Sequence, residues 1–128
     1  MITTQIDAAI GTITLNHKAK HNVLSELLVR QVVGALAEFT RQEVRCVVLR
    51  AAPGVKVWSA GHDVSELPEG GLDPLSWRDP LRYLIREIEN FPAPVIANTA
   101  RCSVASMFTS KYTGTMFPPR SYPTKLPT

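Results

Sequence analysis

Cysteines and long apolar runs are scarce in this sequence of 128 residues, which contains only Cys46 and Cys102. Neither cysteine forms a CxxC pair or has a histidine at a metal-ligand interval, so we predict neither a zinc site nor a disulfide framework. No apolar run approaches the roughly 18 residues that a membrane span requires, and the N-terminus lacks the basic and apolar regions of a signal peptide. We therefore expect a cytoplasmic protein with no metal and no membrane partner.

Acidic residues are absent after Glu89, and this absence accounts for the formal net charge of +3. Residues 1–98 contain ten Lys or Arg against eleven Asp or Glu, so the positive excess comes from Arg101, Lys111, Arg120 and Lys125. These four residues are scattered, whereas a surface that follows nucleic-acid phosphates needs clustered basic residues. We therefore expect no nucleic-acid partner.

The C-terminal segment also lacks periodicity. From Thr99 onward, ten of the thirty residues are Ser or Thr and four are Pro, and the apolar residues follow neither the helix nor the strand period. Such a segment cannot offset a backbone ordering cost of roughly 1 to 2 kcal/mol per residue. We predict a folded unit over residues 1–98 and a disordered tail over residues 99–128.

The first half of the chain alternates strand and helix patterns. Ile2–Ile6 and Ile10–Leu15 are short β-rich runs, and Ser25 is a candidate N-cap for a helix over residues 25–41, in which apolar residues recur on one face. The apolar run Cys46–Leu49 is typical of a strand buried on both faces. Strand, helix and strand in this order predict a layered α/β domain with a crossover connection.

The second half continues with shorter elements. Val55–Trp58 is predicted to be extended, Val64–Leu67 to be helical, and Glu69–Pro74 to be a loop. A second helix is predicted to enter at Asp79-Pro80, to end near Asn90 and to bury a stripe formed by Leu81, Leu84, Ile85 and Ile88. The run Val95-Ile96-Ala97 is another candidate for a short buried strand.

A chemically suggestive turn lies between the extended stretch and the short helix. N–H groups at the start of a helix have no intrahelical acceptor and suit a carbonyl oxygen that gains negative charge. Gly61 permits a close backbone approach, Asp63 can cap the next turn, and the useful group is the main-chain N–H of His62. The alternative is a plain tight turn. For the imidazoles of His17, His21 and His62 we expect surface or hydrogen-bonded structural roles, because no Ser or carboxylate stands at a spacing that suggests a catalytic base.

The stretch Trp58–Asp63 resembles the Phe-x-Ala-Gly-x-Asp signature of the crotonase superfamily, the relatives of enoyl-CoA hydratase and isomerase, with Trp58 in place of Phe. Upstream, Asn22-Val23-Leu24-Ser25 is similar to the Asn-Ala-Leu-Ser of that superfamily. A longer set of residues is similar to its methylmalonyl-CoA decarboxylase branch, namely Ser59–Pro68, Gly70-Gly71, Asp73–Ser76, Asp79–Arg82 and Phe91-Pro92. The resemblance covers residues 1 to about 98.

This resemblance implies a spiral of ββα units, of which the chain holds an incomplete N-terminal part, and acyl-CoA thioester substrates. The decarboxylase branch converts methylmalonyl-CoA to propionyl-CoA and CO2 through a thioester enolate, without a cofactor, while two backbone N–H groups polarise the carbonyl. The superfamily forms trimers or hexamers, which we do not expect here because the region that forms them is not matched.

The resemblance also assigns site residues by position. The His62 N–H would be the first oxyanion donor, and Lys20 lies where the superfamily's loop passes the nucleotide end of CoA. The groove for the adenine and pantetheine groups would be lined by Ala60, His62, Asp63, Val64, Ser65 and Glu66. No metal ligand is implied.

Glycine is absent where the superfamily has a Gly-x-x-x-Gly-Gly loop that gives the second oxyanion N–H. The matching stretch here is residues 99–106. Loss of one such donor typically costs about 100-fold to 1000-fold in rate, so we do not expect a competent active site on this chain alone. One hypothesis is that residues from about Asn98 onward are a tail translated in a shifted reading frame. With a suitable choice of codons for this stretch, the same DNA read from two bases further on would encode Gly-x-Val-Phe-Gly-Gly. The alternatives are a divergent tail and an alternative splice end.

Three functions are compatible with these features. The first is a truncated acyl-CoA enzyme nearest the decarboxylases, and the second is an enoyl-CoA hydratase or acyl-CoA hydrolase, both of which use the same first oxyanion turn. The third is a non-catalytic fragment or a remnant that interacts with full-length subunits.

Overall fold

The computed structural model describes residues 1–67 and 79–99, together with the backbone of residues 103–104. Within these residues lie six strands, β1 (Ile2–Asp7), β2 (Ile10–Leu15), β3 (Cys46–Ala51), β4 (Val57–Ser59), β5 (Val95–Asn98) and β6 (Ser103–Val104). The helices are α1 (Glu26–Arg41) and α2 (Pro80–Glu89), with two short 3-10 helices at Lys18–Lys20 and Val64–Glu66. The predicted α/β class is confirmed. The predicted loop Glu69–Pro74 lies outside the described residues, as does the predicted tail apart from Thr99 and the backbone of β6.

The described strands form two sheets. The larger has the order β1-β2-β3-β5, with β1 antiparallel to β2, and β3 parallel to both β2 and β5. The parallel pairing of β2 with β3 across α1 confirms the predicted crossover unit. The smaller sheet pairs β4 with β6 in parallel, so the chain around residues 103–104 runs beside the strand that leads into the turn at residues 60–63.

The β1–β2 hairpin closes through a two-residue loop. Ala8 and Ala9 both have positive φ, 46° and 63°, between the paired residues Asp7 and Ile10. Positive φ at both loop positions matches the twist of a hairpin but is costly for residues with a Cβ. Alanine therefore holds a conformation here that asparagine and glycine adopt more readily.

Helix α1 begins where the sequence predicts. Ser25 is its N-cap, and the Ser25 Oγ accepts a hydrogen bond from the Leu28 N–H at 3.3 Å. The helix packs against the sheet through one buried face. This face consists of Leu28, Val29, Val32, Ala35, Leu36 and Phe39. Phe39 packs directly on β2, since a Cβ added to Gly11 would lie only 2.5 Å from the Phe39 ring. The absence of a side chain at Gly11 thus permits the close packing of helix on sheet.

Two predictions of complete burial are wrong. In β3, Val47 and Leu49 are buried, but Cys46 and Val48 on the opposite face are only half-buried. In β5, Ile96 is 47% exposed. The reason is that α1 and α2 join the core on one face of the sheet, while no described element completes the cover of the other face. An apolar run indicates a strand, but what covers each face depends on the rest of the fold.

Helix α2 confirms the predicted entry at Asp79-Pro80. The Asp79 Oδ1 accepts a hydrogen bond from the Leu81 N–H at 2.7 Å, and Pro80 occupies the first turn, where a missing N–H costs nothing. Leu81, Leu84 and Ile88 are buried in the same core as α1, and Ile85 is partly buried against it. No helix in residues 1–67 or 79–99 has the length and apolar character needed to cross a membrane.

Candidate functional site

The candidate site is the turn that joins β4 to the 3-10 helix Val64–Glu66. Trp58 and Ser59 are buried at the end of β4, and Gly61 has a φ of 84°, a conformation in which glycine carries no steric penalty. The predicted helix at Val64–Leu67 is a single 3-10 turn instead of an α-helix. Pro68 explains this difference, because the residue before a proline disfavours the α conformation and Leu67 is extended.

Most backbone N–H groups of the turn have an acceptor. Ala60 donates to the His21 carbonyl at 2.9 Å, and Gly61 donates to the Ser59 Oγ at 3.1 Å. Ser65 donates to the Asp63 Oδ1 at 3.0 Å, and Glu66 donates to the Asp63 carbonyl at 3.1 Å. The N–H groups of His62, Asp63 and Val64 make no hydrogen bond of ordinary geometry within residues 1–67 and 79–99. Backbone donors are nearly always paired in folded proteins, so this run of donors, which begins at His62, is available to a ligand.

The loop before α1 holds this turn in place. The Leu24 N–H donates to the Gly61 carbonyl at 2.7 Å, and Leu24 and His62 form an isolated parallel bridge. Asn22 is fully buried. Its side-chain Nδ2 donates to the Trp58 carbonyl at 3.0 Å, and its backbone carbonyl accepts a hydrogen bond from the Ser59 Oγ at 2.7 Å. The segment around residues 21–24 therefore clamps residues 58–62, from the end of β4 into the turn.

Asp63 organises the residues that follow His62. Its side chain is nearly buried, and its Oδ1 accepts hydrogen bonds from both the backbone N–H and the hydroxyl of Ser65, the latter at 2.6 Å. The Lys20 Nζ lies 3.4 Å from the Asp63 Oδ2. The Ser65 hydroxyl, then the Ser65 N–H and more weakly Lys20 hold the pKa of Asp63 below its usual value, against the opposing effect of burial. Asp63 thus caps the 3-10 helix as a carboxylate, as the sequence predicts.

The His62 side chain turns toward α2. Its Nε2 lies 2.6 Å from the Asp79 Oδ2, and the two side chains are only 13% and 6% exposed. The structural, hydrogen-bonded role expected for this imidazole is consistent with that contact. The sequence reasoning missed its partner, because it sought a carboxylate at a short spacing whereas Asp79 is 17 residues away.

The remaining predicted site residues surround this turn. Ala60, Ser65, Glu66 and Val64 are exposed, the last to 76%. Although Glu66 is exposed, its carboxylate is engaged: the Oε2 accepts a hydrogen bond at 2.9 Å from the Glu26 N–H at the start of α1. Lys20 extends from the neighbouring loop with 56% of its side chain exposed. The structure therefore brings Lys20, Ala60 and residues 62–66 together at one place on the surface.

No group of three or more His, Cys, Asp or Glu side chains in the described part of the chain is placed to hold a metal ion. The described turn offers the unpaired backbone N–H groups of residues 62–64, a short apolar surface and the Lys20 cation. This set suits an oxygen that gains negative charge, next to a larger ligand with an anionic end.

Comparison with known proteins decides the family. Residues 5–105 match the model of the enoyl-CoA hydratase/isomerase family. The chain belongs to this family. The match includes all of the turn and extends to the residues of β6, beyond the boundary at residue 98 that the sequence suggests.

Relatives within the family include methylmalonyl-CoA decarboxylase from Escherichia coli K12, which is 48% identical over 88 residues, covering 69% of this chain and 34% of the relative. A solved methylmalonyl-CoA decarboxylase in complex with 2-nitronate-propionyl-CoA is 44% identical with a TM-score of 0.71, over 75% of this chain and 37% of that one. Another, in complex with 2S-carboxypropyl-CoA, has the same identity and coverage and a TM-score of 0.70. The fold is thus the N-terminal part of the crotonase fold, and the chain spans about a third of the length of these relatives.

Asn22 is a residue of this site to which the sequence alone assigns no role. Both Asn22 and Leu24 form hydrogen bonds to the segment Trp58–Gly61 that carries the family signature. The signal in the sequence that could have found Asn22 is the motif Asn22-Val23-Leu24-Ser25. This motif resembles the family as the signature does, so it is a candidate for contact with the signature in the folded chain.

Proposed function

We propose that this chain forms the first half of an acyl-CoA site, in which the His62 N–H donates a hydrogen bond to the thioester oxygen. The observation that carries the proposal is the unpaired His62 N–H, which directly follows Ala60 and Gly61, whose N–H groups are paired within the fold. A preorganised backbone donor of this kind stabilises an oxyanion at no reorganisation cost during the reaction.

The substrate class that fits best is a methylmalonyl-CoA-like thioester. The similarity to methylmalonyl-CoA decarboxylase supports it, because the solved relatives hold 2S-carboxypropyl-CoA and 2-nitronate-propionyl-CoA. In the proposed reaction the bond between Cα and the carboxylate carbon breaks and CO2 leaves. The electron pair moves to the thioester oxygen as an enolate, which the His62 N–H stabilises, and Cα then takes up a proton to give the propionyl thioester.

The CoA portion would lie along Ala60 and residues 62–66. Ala60 and Val64 offer small exposed apolar surfaces to the pantetheine and adenine groups, and Lys20 offers a cation to the phosphates. Glu66 would contribute mainly its backbone, because its carboxylate is bonded to the N-terminus of α1. No cofactor enters this scheme, since CoA is part of the substrate.

Binding of the thioester and its turnover place different requirements on this chain. We propose that the chain alone binds the thioester but turns it over poorly, because residues 99–106 contain no glycine where the family loop gives a second oxyanion donor. With one donor in place of two, the rate should fall about 100-fold to 1000-fold below that of a complete enzyme.

Isothermal titration calorimetry of the chain with free CoA and with 2-nitronate-propionyl-CoA tests the proposal. We expect CoA to bind and the nitronate to bind more tightly, by about tenfold to a hundredfold, because a hydrogen bond to a charged group contributes about 1.5 to 3 kcal/mol. Lys20→Ala should weaken both ligands, whereas Lys56→Ala, which removes an equal charge elsewhere, should change neither. Absence of binding by both ligands, or equal affinity for the two, would refute the proposed site.

A further inference from the structure

Asp79 uses its two carboxylate oxygens on two different elements. The Oδ1 accepts the Leu81 N–H at 2.7 Å and caps α2, while the Oδ2 lies 2.6 Å from the His62 Nε2 in the turn. Both side chains are largely buried, so solvent screens this contact little. One carboxylate thus joins the start of a packed helix to the residue that carries the unpaired N–H.

We propose that Asp79 is a positioning residue that orients the main-chain N–H of His62 through the His62 imidazole, a role that rests on the proposed function. The direction of this N–H depends on the backbone angles around Gly61 and His62. Gly61 allows many such angles, and the 3-10 helix that follows has only three residues. The turn therefore needs anchors outside itself.

Two anchors flank His62 in the backbone. The Leu24 N–H fixes the Gly61 carbonyl, which lies in the same peptide plane as the His62 N–H. The Asp63 side chain fixes the Ser65 N–H. The His62 N–H itself makes no hydrogen bond to the described residues, so the His62 side chain supplies the anchor at the Cα end of this peptide plane. Because α2 is held in the core by Leu81 and Leu84, Asp79 is a firm point of attachment.

The contact also selects the tautomer of the neutral imidazole ring. A carboxylate oxygen only accepts hydrogen bonds, so the His62 Nε2 must carry the proton in this contact. The buried Nδ1 has no partner within residues 1–67 and 79–99. The ring is therefore held as the Nε2–H form when neutral, which gives a spectroscopic signature of the contact.

The test uses Asp79→Ser in the full chain, since serine still caps α2 but is too short to reach His62. Without ligand, amide hydrogen exchange at Leu24, whose N–H is bonded to the Gly61 carbonyl of the turn, should become roughly tenfold faster or more, because a charge-assisted anchor of the turn is lost. Exchange within α2 should stay unchanged. In ¹⁵N NMR spectra, the ring nitrogens of His62 should move from the pure Nε2–H pattern to a tautomer average. Unchanged exchange and unchanged ring signals would overturn the proposal.

Ligand titrations separate this proposal from the proposed function. Asp79→Ser should leave the affinity for free CoA unchanged and reduce the preference for 2-nitronate-propionyl-CoA by about tenfold. Equal loss of affinity for both ligands would overturn the positioning role. If the wild-type chain binds neither ligand, the proposed function fails, and the exchange experiment still decides whether Asp79 holds the turn.

Two further variants guard against misfolding. His62→Ala keeps the N–H but removes the ring, and combining it with Asp79→Ser should cause no greater effect than either change alone, because both remove the same contact. Asp79→Asn keeps the size and the capping oxygen and should give an intermediate exchange rate. Additive effects in the double variant would contradict a shared role.

Discussion

The Asn22 side chain donates a 3.0 Å hydrogen bond to the carbonyl of Trp58, which ties the loop before α1 to the strand that enters the turn. Asn22 also accepts a hydrogen bond from the His17 N–H at 2.7 Å and has a positive φ of 52°. Asparagine combines two-way hydrogen bonding with tolerance of this conformation. Position 22 therefore needs a side-chain donor, a side-chain acceptor and tolerance of a positive φ, and no aliphatic residue provides all three.

We expect Asn22→Ala to lower the free energy of unfolding by about 2 to 4 kcal/mol, because it leaves the buried Trp58 carbonyl and the partly buried His17 N–H unpaired and places alanine at a positive φ. Urea denaturation followed by circular dichroism measures this change. Asn16→Ala is the matched control, because Asn16 is exposed and should change stability by less than about 0.5 kcal/mol. Similar stabilities for the two variants would show that the clamp between residues 22 and 58 is unimportant.

Gly11 and Gly34 form a second matched pair. A Cβ at Gly11 would meet the Phe39 ring at 2.5 Å, whereas a Cβ at Gly34, on the exposed side of α1, meets nothing within 4 Å. Gly11→Ala should destabilise the fold by about 1 to 3 kcal/mol through overpacking. Gly34→Ala should stabilise it by about 0.5 to 1 kcal/mol, since alanine is the better helix former. Thermal unfolding of both variants checks the opposite signs, and equal signs would contradict the packing of α1 on β2.

Much of the fold could be predicted from local patterns. The helical period and Ser25 predict α1, and Asp79-Pro80 predicts the start of α2, because capping and amphipathicity are set by residues close in sequence. The burial of β3 and β5 is overestimated from sequence, because it depends on elements that are distant or not described. The His62–Asp79 contact escapes prediction for the same reason, since it becomes visible only after α2 has packed beside the turn.

The pH dependence of stability should contain a contribution from Asp63. Its pKa is lowered in the folded state, so the ionised carboxylate stabilises the fold. This contribution is complete above the pKa of the unfolded chain, about 3.9, and is lost as the pH falls through the lower pKa of the folded state. Unfolding experiments from pH 6 down to pH 2 should show stability falling with pH, and falling less in Ser65→Ala.

The order of causes at Asp63 can be measured directly. NMR titration of the Asp63 carboxyl carbon should show a larger rise of the pKa in Ser65→Ala than in Lys20→Ala, because the hydrogen bond from the Ser65 hydroxyl lowers the pKa more than Lys20 does. The half-exposed Lys20 at 3.4 Å is also screened by solvent. A larger rise in Lys20→Ala would show that the ion pair, and not the cap, keeps Asp63 ionised.

The hairpin offers a stabilising change far from the site. Replacing Ala8-Ala9 by Asn-Gly should raise the free energy of unfolding by about 0.5 to 1 kcal/mol, because both positions have positive φ. Urea denaturation measures the gain, and CoA affinity should not change. A loss of stability would contradict the two-residue turn between Asp7 and Ile10.

We propose that the His62 N–H is the oxyanion donor, and NMR of the ¹⁵N-labelled chain tests this proposal most directly. On addition of 2-nitronate-propionyl-CoA, the His62 amide proton should shift downfield more than any other amide of residues 60–66. Free CoA has no acyl oxygen to accept this bond and should leave the His62 amide nearly unchanged while shifting its neighbours. Binding of both ligands without a distinct shift of the His62 amide would contradict the assignment.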